Sequence, residues 1–317
     1  MNTKKYYIIL GVLLCLSLLK NYHQSQVSIS KPKIITILSK PKQQNGPQVV
    51  TDSLIRGLKK LNIPFNLNPE INSDIGDTVI TQNSLHTLHQ MIKQKRNGQI
   101  KKLIVGPNTA LKSFEALKAP EIDLYLVPCQ WVKDGIVKKY PELESKIKVW
   151  PSSINLDNNP SPNLNKEKLA LIYWKTEGKE FCDRVKDVLE KNGWKTNIIK
   201  YGHYKLNDYL NLLNKCSIAV FLSGSESQGL ALAESWSKNV PTLVWDKSTI
   251  ITFNEIEFKT SSCPYLTEST GKQWQSLDEL EDILKNLNLK QFSPRKWLEE
   301  NLSDEASTQQ LINLIKN

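Results

Sequence analysis

Two carboxylates eight positions apart, Glu226 and Glu234, bracket a glycine in the run Ser225-Glu-Ser-Gln-Gly-Leu-Ala-Leu-Ala-Glu-Ser235. An apolar stretch over 217–222 leads into this run, and a second, over 240–245, follows it. The pattern is strand, loop, helix, strand. A helix that starts beyond a strand end offers unpaired N–H groups and the positive end of its dipole, which suit a diphosphate. Gly229 lets a ligand approach the backbone with no side chain in the way. A carboxylate touching phosphate would be repelled, so the two acids fit neutral hydroxyls, which a sugar and a ribose supply. The chemistry indicated is recognition of a nucleotide sugar. A purely local reading competes with it: Ser225 and Gln228 have capping-box spacing, and Glu226 could serve only as an acid before a helix N-terminus.

Such a segment needs a sheet to carry it and a facing wall to close the site. Apolar runs predict strands over 33–39, 64–67, 78–80, 102–105, 123–127 and 146–150. Periodic patterns predict helices between them, over 49–61, 84–95, 110–118 and 130–139, with Leu54, Leu58 and Leu61 on one face of the first. Pro, Asn and Ser then crowd 151–163, which reads as an interdomain hinge. Alternation restarts with strands over 168–174 and 195–199 and helices over 179–191 and 206–213. The acid-bearing unit follows, with a helix of about three turns. Ser303 is placed as the N-cap of a terminal helix. Strands alternating with helices give parallel sheets covered on both faces. The expected fold class is α/β: two doubly wound Rossmann-like domains facing a cleft, over 33–155 and 156–317, the second including the terminal helix.

The chain has 317 residues, enough for two domains, and 42 Lys+Arg against 32 Asp+Glu give it a net charge of +10. The excess is spread through pairs such as Lys59-Lys60 and Lys138-Lys139, and no nucleic-acid recognition motif accompanies it. A mildly basic surface suits phosphate-bearing donors or anionic lipid. The five cysteines are odd in number and contain no C-x-x-C, so neither zinc nor a redox pair is indicated. His86 and His89 lack carboxylate or cysteine partners, and no metal is expected. Residues 1–32 differ from the rest. An apolar run of fourteen residues, 6–19, sits between Lys5 and Lys20. It is shorter than the roughly 20 residues that span a bilayer and matches a signal core or short anchor. An uncleaved single-pass membrane association is expected, with the side of the membrane open.

The segment Glu226-Ser-Gln-Gly-Leu-Ala-Leu-Ala-Glu234 resembles the Glu-x7-Glu motif of retaining GT-B-type glycosyltransferases, in the glycogen-synthase-like and mannosyltransferase-like group. Ser227 and Gln228 stand where that group usually has Gly-Phe, and Asn239-Val-Pro241 stands at its Gly-x-Pro turn. Val127-Pro-Cys-Gln-Trp-Val132 and Lys146-Ile-Lys-Val-Trp-Pro151 are similar to segments late in the family's first domain. The resemblance implies that Glu226 contacts donor-sugar hydroxyls and Glu234 the ribose. Backbone N–H groups around Ser227, Gln228, Gly229 and Leu230, next to Ser225, would hold the diphosphate. A basic pair usual after the first strand of the second domain is matched by Lys175, taken as catalytic with Glu226, and by Lys179. Gly46 resembles the family's acceptor or phosphate loop, and Asn108 stands where a histidine often approaches the sugar.

The resemblance therefore implies a metal-independent glycosyltransferase with no cofactor, moving a sugar from a nucleotide diphosphate sugar to an acceptor hydroxyl with retention. The acceptor, whether glycan, lipid or protein, is left open. The competing expectation is a two-lobed sugar or nucleotide-sugar binding protein without transferase activity.

Overall fold

Alternation of buried side chains between two faces sets the first sheet in the computed structural model, which describes residues 34–39, 46–70, 75–82, 85–107, 114–157 and 166–316. Strands β1 (Ile35–Leu38), β2 (Phe65–Leu67), β3 (Thr78–Thr81), β4 (Lys102–Val105), β5 (Leu124–Val127) and β6 (Ile147–Val149) pair in the order β2-β1-β3-β4-β5-β6, all parallel. One face packs Leu103 and Val105 against helices α2 (Leu85–Arg96) and α3 (Gln130–Lys139) through Leu88, Met91 and Ile136. The opposite face packs Ile35, Ile37 and Ile104 against α1 (Gly46–Lys60) through Val50, Leu54 and Leu58. Full burial on both faces is what near-continuous apolar strands require.

The second sheet repeats the plan. Strands β7 (Glu167–Trp174), β8 (Lys195–Lys200), β9 (Cys216–Leu222), β10 (Thr242–Trp245) and β13 (Gly271–Trp274) run parallel in the order β13-β10-β9-β7-β8. Helices α4 (Lys179–Lys191) and α7 (Leu277–Lys285) cover one face. The other face is covered by α5 (Leu206–Leu213), α6 (Leu230–Ser237) and α8 (Pro294–Leu302). In each sheet the strand order reverses beside the first strand, between β1 and β3 and between β7 and β9. Those crevices are where ligands bind in open α/β sheets.

Two segments depart from the sequence expectation. The terminal helix α9 (Asp304–Lys316), capped by Ser303 through the Ala306 N–H, packs against α1 of the first sheet and puts Leu311 and Ile312 into its core. Within 151–163, read as a hinge, the stretch 151–154 is strapped down, and residues 158–163 fall outside the described residues. Trp150 Nε1 donates to the Ser307 carbonyl at 2.9 Å, Ser307 Oγ to the Pro151 carbonyl at 2.6 Å, and the Ile154 N–H to the Leu302 carbonyl at 3.1 Å. Asp304, with a fully buried side chain, receives Arg56 Nε at 3.0 Å and Nη2 at 3.1 Å and also the Ser153 hydroxyl. The helices approach so closely at Gly57 that a Cβ there would lie 1.8 Å from Thr308 Oγ1.

The second departure is a hairpin, β11 (Ile250–Phe253) and β12 (Ile256–Lys259), absent from the sequence reading. Its turn residues Asn254 and Glu255 have φ of 48° and 59°, the paired left-handed conformation of a tight two-residue hairpin. Phe258 lies against Gly135 of α3, where a Cβ would come within 2.2 Å of its ring, and meets Trp131 edge-on at 5.9 Å. The expected anchor at 1–32 and Cys15 fall outside the described residues. Among those described, no helix is long and apolar enough to cross a membrane, and Cys129, Cys182, Cys216 and Cys263 are buried free thiols.

Candidate functional site

Registry between β7 and β9 brings Trp174 beside Leu222, so the residues that follow each strand emerge together at the strand-order reversal. Lys175 N–H and Thr176 N–H both donate to the Leu222 carbonyl, at 3.0 and 3.3 Å, and Gly224 N–H donates to Thr176 Oγ1 at 2.6 Å. This lacing places the Lys175 ammonium 2.7 Å from Glu226 Oε1, with both side chains about one-fifth exposed. Ser223 Oγ donates to the same oxygen at 2.9 Å. The Lys175 ammonium also lies 4.8 Å from the centre of the Tyr201 ring.

The backbone at Glu226 is held from both lobes. Its N–H donates to the Ser261 carbonyl at 2.9 Å, and its carbonyl accepts from Trp131 Nε1 of α3 at 2.9 Å. Tyr265 Oη donates to the Pro128 carbonyl and lies 3.4 Å from the Ser227 carbonyl. Gln228 reaches the strapped linker, its Oε1 accepting from Ser152 N–H at 3.2 Å and Ser152 Oγ at 3.3 Å. The capping-box reading of Ser225 and Gln228 therefore fails: the helix begins at Leu230 and Gln228 serves the interlobe contact. The helix is also shorter than the expected three turns.

Gly229 is the N-cap of α6, with φ 58° and ψ 39° and no side chain to cap the first turn. Its role is thus conformational as well as one of access, because L side chains rarely adopt this backbone. A Cβ there would also lie 3.1 Å from Leu232 Cδ1. Gly229→Ala is expected to cost about 1–2 kcal/mol, read as a lowered midpoint in urea unfolding. Tyr209 supports the turn from below, its Oη donating to the Ala231 carbonyl at 2.7 Å and lying 2.8 Å from Ser235 Oγ.

These groups border a cavity of about 660 Å³ lined by Lys175, Glu226, Ser227, Gln228, Gly229, Leu230 and Glu234 and, from the first sheet's side, by Gly46 and Val50. Of the other residues expected at the site, Ser225 accepts a hydrogen bond from Ser223 Oγ through its carbonyl but does not line the cavity. Lys179 faces away, paired with Asp183 at 2.6 Å. Asn108 is outside the described residues. Sequence reasoning missed Tyr173, Tyr201 and Tyr204, which line the cavity, Tyr173 and Tyr204 with hydroxyls 3.1 Å apart. The signal was present as the cluster Tyr201-Gly-His-Tyr204 directly after β8.

Glu234 sits on the cavity wall, and burial pushes its carboxyl up to about 8. The shift has a thermodynamic sign. The folded state keeps a proton that the unfolded chain loses near pH 4.5, so Glu234's contribution to stability is present below pH 4.5 and is lost as pH rises to about 8. Glu234→Gln removes that loss. The variant should match wild type near pH 4.5 and melt several degrees higher above pH 8, by thermal scans in a pH series.

No family model matches the sequence, and no curated protein matches it. Solved structures do. A lipopolysaccharide outer core galactosyltransferase in its apo form is 13% identical with a TM-score of 0.58, covering 89% of this chain and 99% of that one. A glycosyltransferase from Rickettsia africae is 12% identical with a TM-score of 0.56, over 90% and 98%. The chain has the GT-B fold. A sucrose-phosphate synthase from Thermosynechococcus elongatus, 10% identical over 90% and 98%, aligns with a TM-score of 0.50. At these identities the likeness carries the architecture, and the chemistry must be argued from this chain's own residues.

Proposed function

We propose that the protein is a retaining glycosyltransferase that takes a nucleotide diphosphate sugar into the cavity between its two sheets and passes the sugar to an acceptor hydroxyl. The observation that carries this reading is the Lys175–Glu226 pair at the strand-order reversal of the second sheet, beside the uncapped first turn of α6. In this reading the N–H groups around Ser227–Leu230 hold the diphosphate, and Glu226 accepts from donor-sugar hydroxyls. Glu234 meets the ribose. Lys175 leaves Glu226 for the diphosphate and neutralises the charge that builds on it as the glycosidic bond breaks. Transfer then rests on positioning and fixed charge without a metal or cofactor.

Calorimetric titration with a panel of nucleoside diphosphates and their sugars tests the donor. One base should bind in the micromolar range and lose at least ten-fold affinity in Glu234→Ala. Proton NMR of the product should report the donor's anomeric configuration. A protein that binds no nucleoside diphosphate would sink the proposal, and an inverted product would remove retention from it.

A further inference from the structure

A second cavity, of about 290 Å³, opens beside the first at the C-terminal ends of β4 and β5. Its wall is almost wholly apolar: Phe114, Tyr125, Val127 and Trp131 from the first lobe, and Phe253 and Phe258 from the hairpin. Ser227 lines both cavities. Trp131, which forms part of this wall, holds the Glu226 carbonyl at 2.9 Å. At the mouth the hairpin leaves Ile250, Ile251 and Phe253 exposed by 64%, 37% and 57%.

We propose that this pocket is the acceptor subsite and that it takes the hydrocarbon chain of an amphiphilic acceptor, an alkyl, acyl or prenyl glycoside whose polar head lies at Ser227. The proposal rests on the transferase reading for the meaning of "acceptor", but not for the binding itself. Adjacency is the first argument, because Ser227 lines both cavities and Trp131 of this pocket holds the backbone of Glu226, which lines the other. The lining is the second. Among the described residues, apart from Ser227, the Tyr125 hydroxyl and the Trp131 indole N–H already engaged by the Glu226 carbonyl, it offers no polar side chain, so a buried sugar would leave hydroxyls unpaired there, at a cost. A hydrocarbon incurs no such cost and gains about 0.8 kcal/mol per methylene buried. The hairpin is the third. Phe258 fastens it to α3 over Gly135, so the apolar mouth is held open beside the first lobe.

The test uses the full chain and methyl, hexyl and octyl β-D-glucosides as probes, each below its micelle concentration, followed by calorimetry and saturation-transfer NMR on the alkyl protons. Methyl glucoside should not bind measurably, and binding should tighten about two- to four-fold per added methylene from hexyl to octyl. Ile251→Glu and, separately, Phe253→Ser should each weaken octyl glucoside at least ten-fold while leaving nucleoside-diphosphate affinity unchanged, which also reports that the variants are folded. Equal behaviour of methyl and octyl glucoside, or octyl binding that survives both substitutions, overturns the assignment. So does Ile251-dependent flotation with phosphatidylcholine vesicles without binding of monomeric octyl glucoside, which would make the patch a bilayer contact. A wild type that binds octyl glucoside but no nucleoside diphosphate would overturn the transferase reading and leave the hydrocarbon site standing.

Discussion

Glu226→Ala is expected to lower kcat/KM for glycosyl transfer by about 10²-fold or more, with little change in nucleoside-diphosphate affinity. Glu226 is anchored through its backbone by Ser261 and Trp131, so removing the carboxylate leaves the loop in place. What disappears is the partner of the Lys175 ammonium and, on the proposed function, the acceptor for donor-sugar hydroxyls. Lys175→Ala should behave differently. It removes charge from the diphosphate and should weaken binding as well as turnover. Glu226→Gln separates geometry from charge, since the amide keeps an acceptor oxygen near Ser223 but loses the ion pair. Its rate should fall between wild type and the alanine variant. Steady-state kinetics with calorimetry on the three variants decide the matter. Wild-type turnover in Glu226→Ala would remove this residue from the mechanism.

Asp304→Ala should produce the largest loss of stability, about 3–5 kcal/mol, a large share of the 5–15 kcal/mol typical of a folded protein. The side chain is fully buried and ties three elements together: α1 through Arg56, the linker through Ser153, and α9 through its own backbone. Its removal strands the Arg56 guanidinium and the Ser153 hydroxyl. Urea unfolding should show the midpoint fall without a change of slope. Asp304→Asn keeps the shape and some hydrogen bonding, so its loss should be smaller. A loss of stability under about 1 kcal/mol in the alanine variant would mean that the arginine finds other partners.

The sheets were legible because their strands are short apolar runs between clear breakers. The predicted helices at 130–139, 179–191 and 206–213 match α3, α4 and α5. The turn at Gly229 that starts α6 was legible too, since the glycine and its flanking acids are local in sequence. Three things were not. The partner of Gln228 is Ser152, far away in the chain, so local spacing suggested a cap instead. The hairpin has no Asn-Gly or Asp-Gly turn, and Asn254-Glu255 is a weak signal for it. The aromatic side of the cavity comes from Tyr173 at the end of β7 and from Tyr201 and Tyr204 in the loop after β8, which the sheet order brings together, with Tyr201 against the Lys175 ammonium. Long-range pairing, not local propensity, decides the first and the third.

The return of α9 to the first sheet has a consequence for how the protein is made. Leu311 and Ile312, which complete the core around Leu54 and Leu58, lie more than 250 residues after them in the chain and leave the ribosome long after α1. The first lobe is synthesised before the second, yet it cannot close that face until α9 has emerged. Its exposed α1 stripe must wait through synthesis of more than two hundred residues, an interval in which chaperones or aggregation compete for it. Chains stalled before residue 304 should therefore carry a protease-sensitive first lobe while the second is already protected, and ribosome-bound intermediates of increasing length would reveal the order.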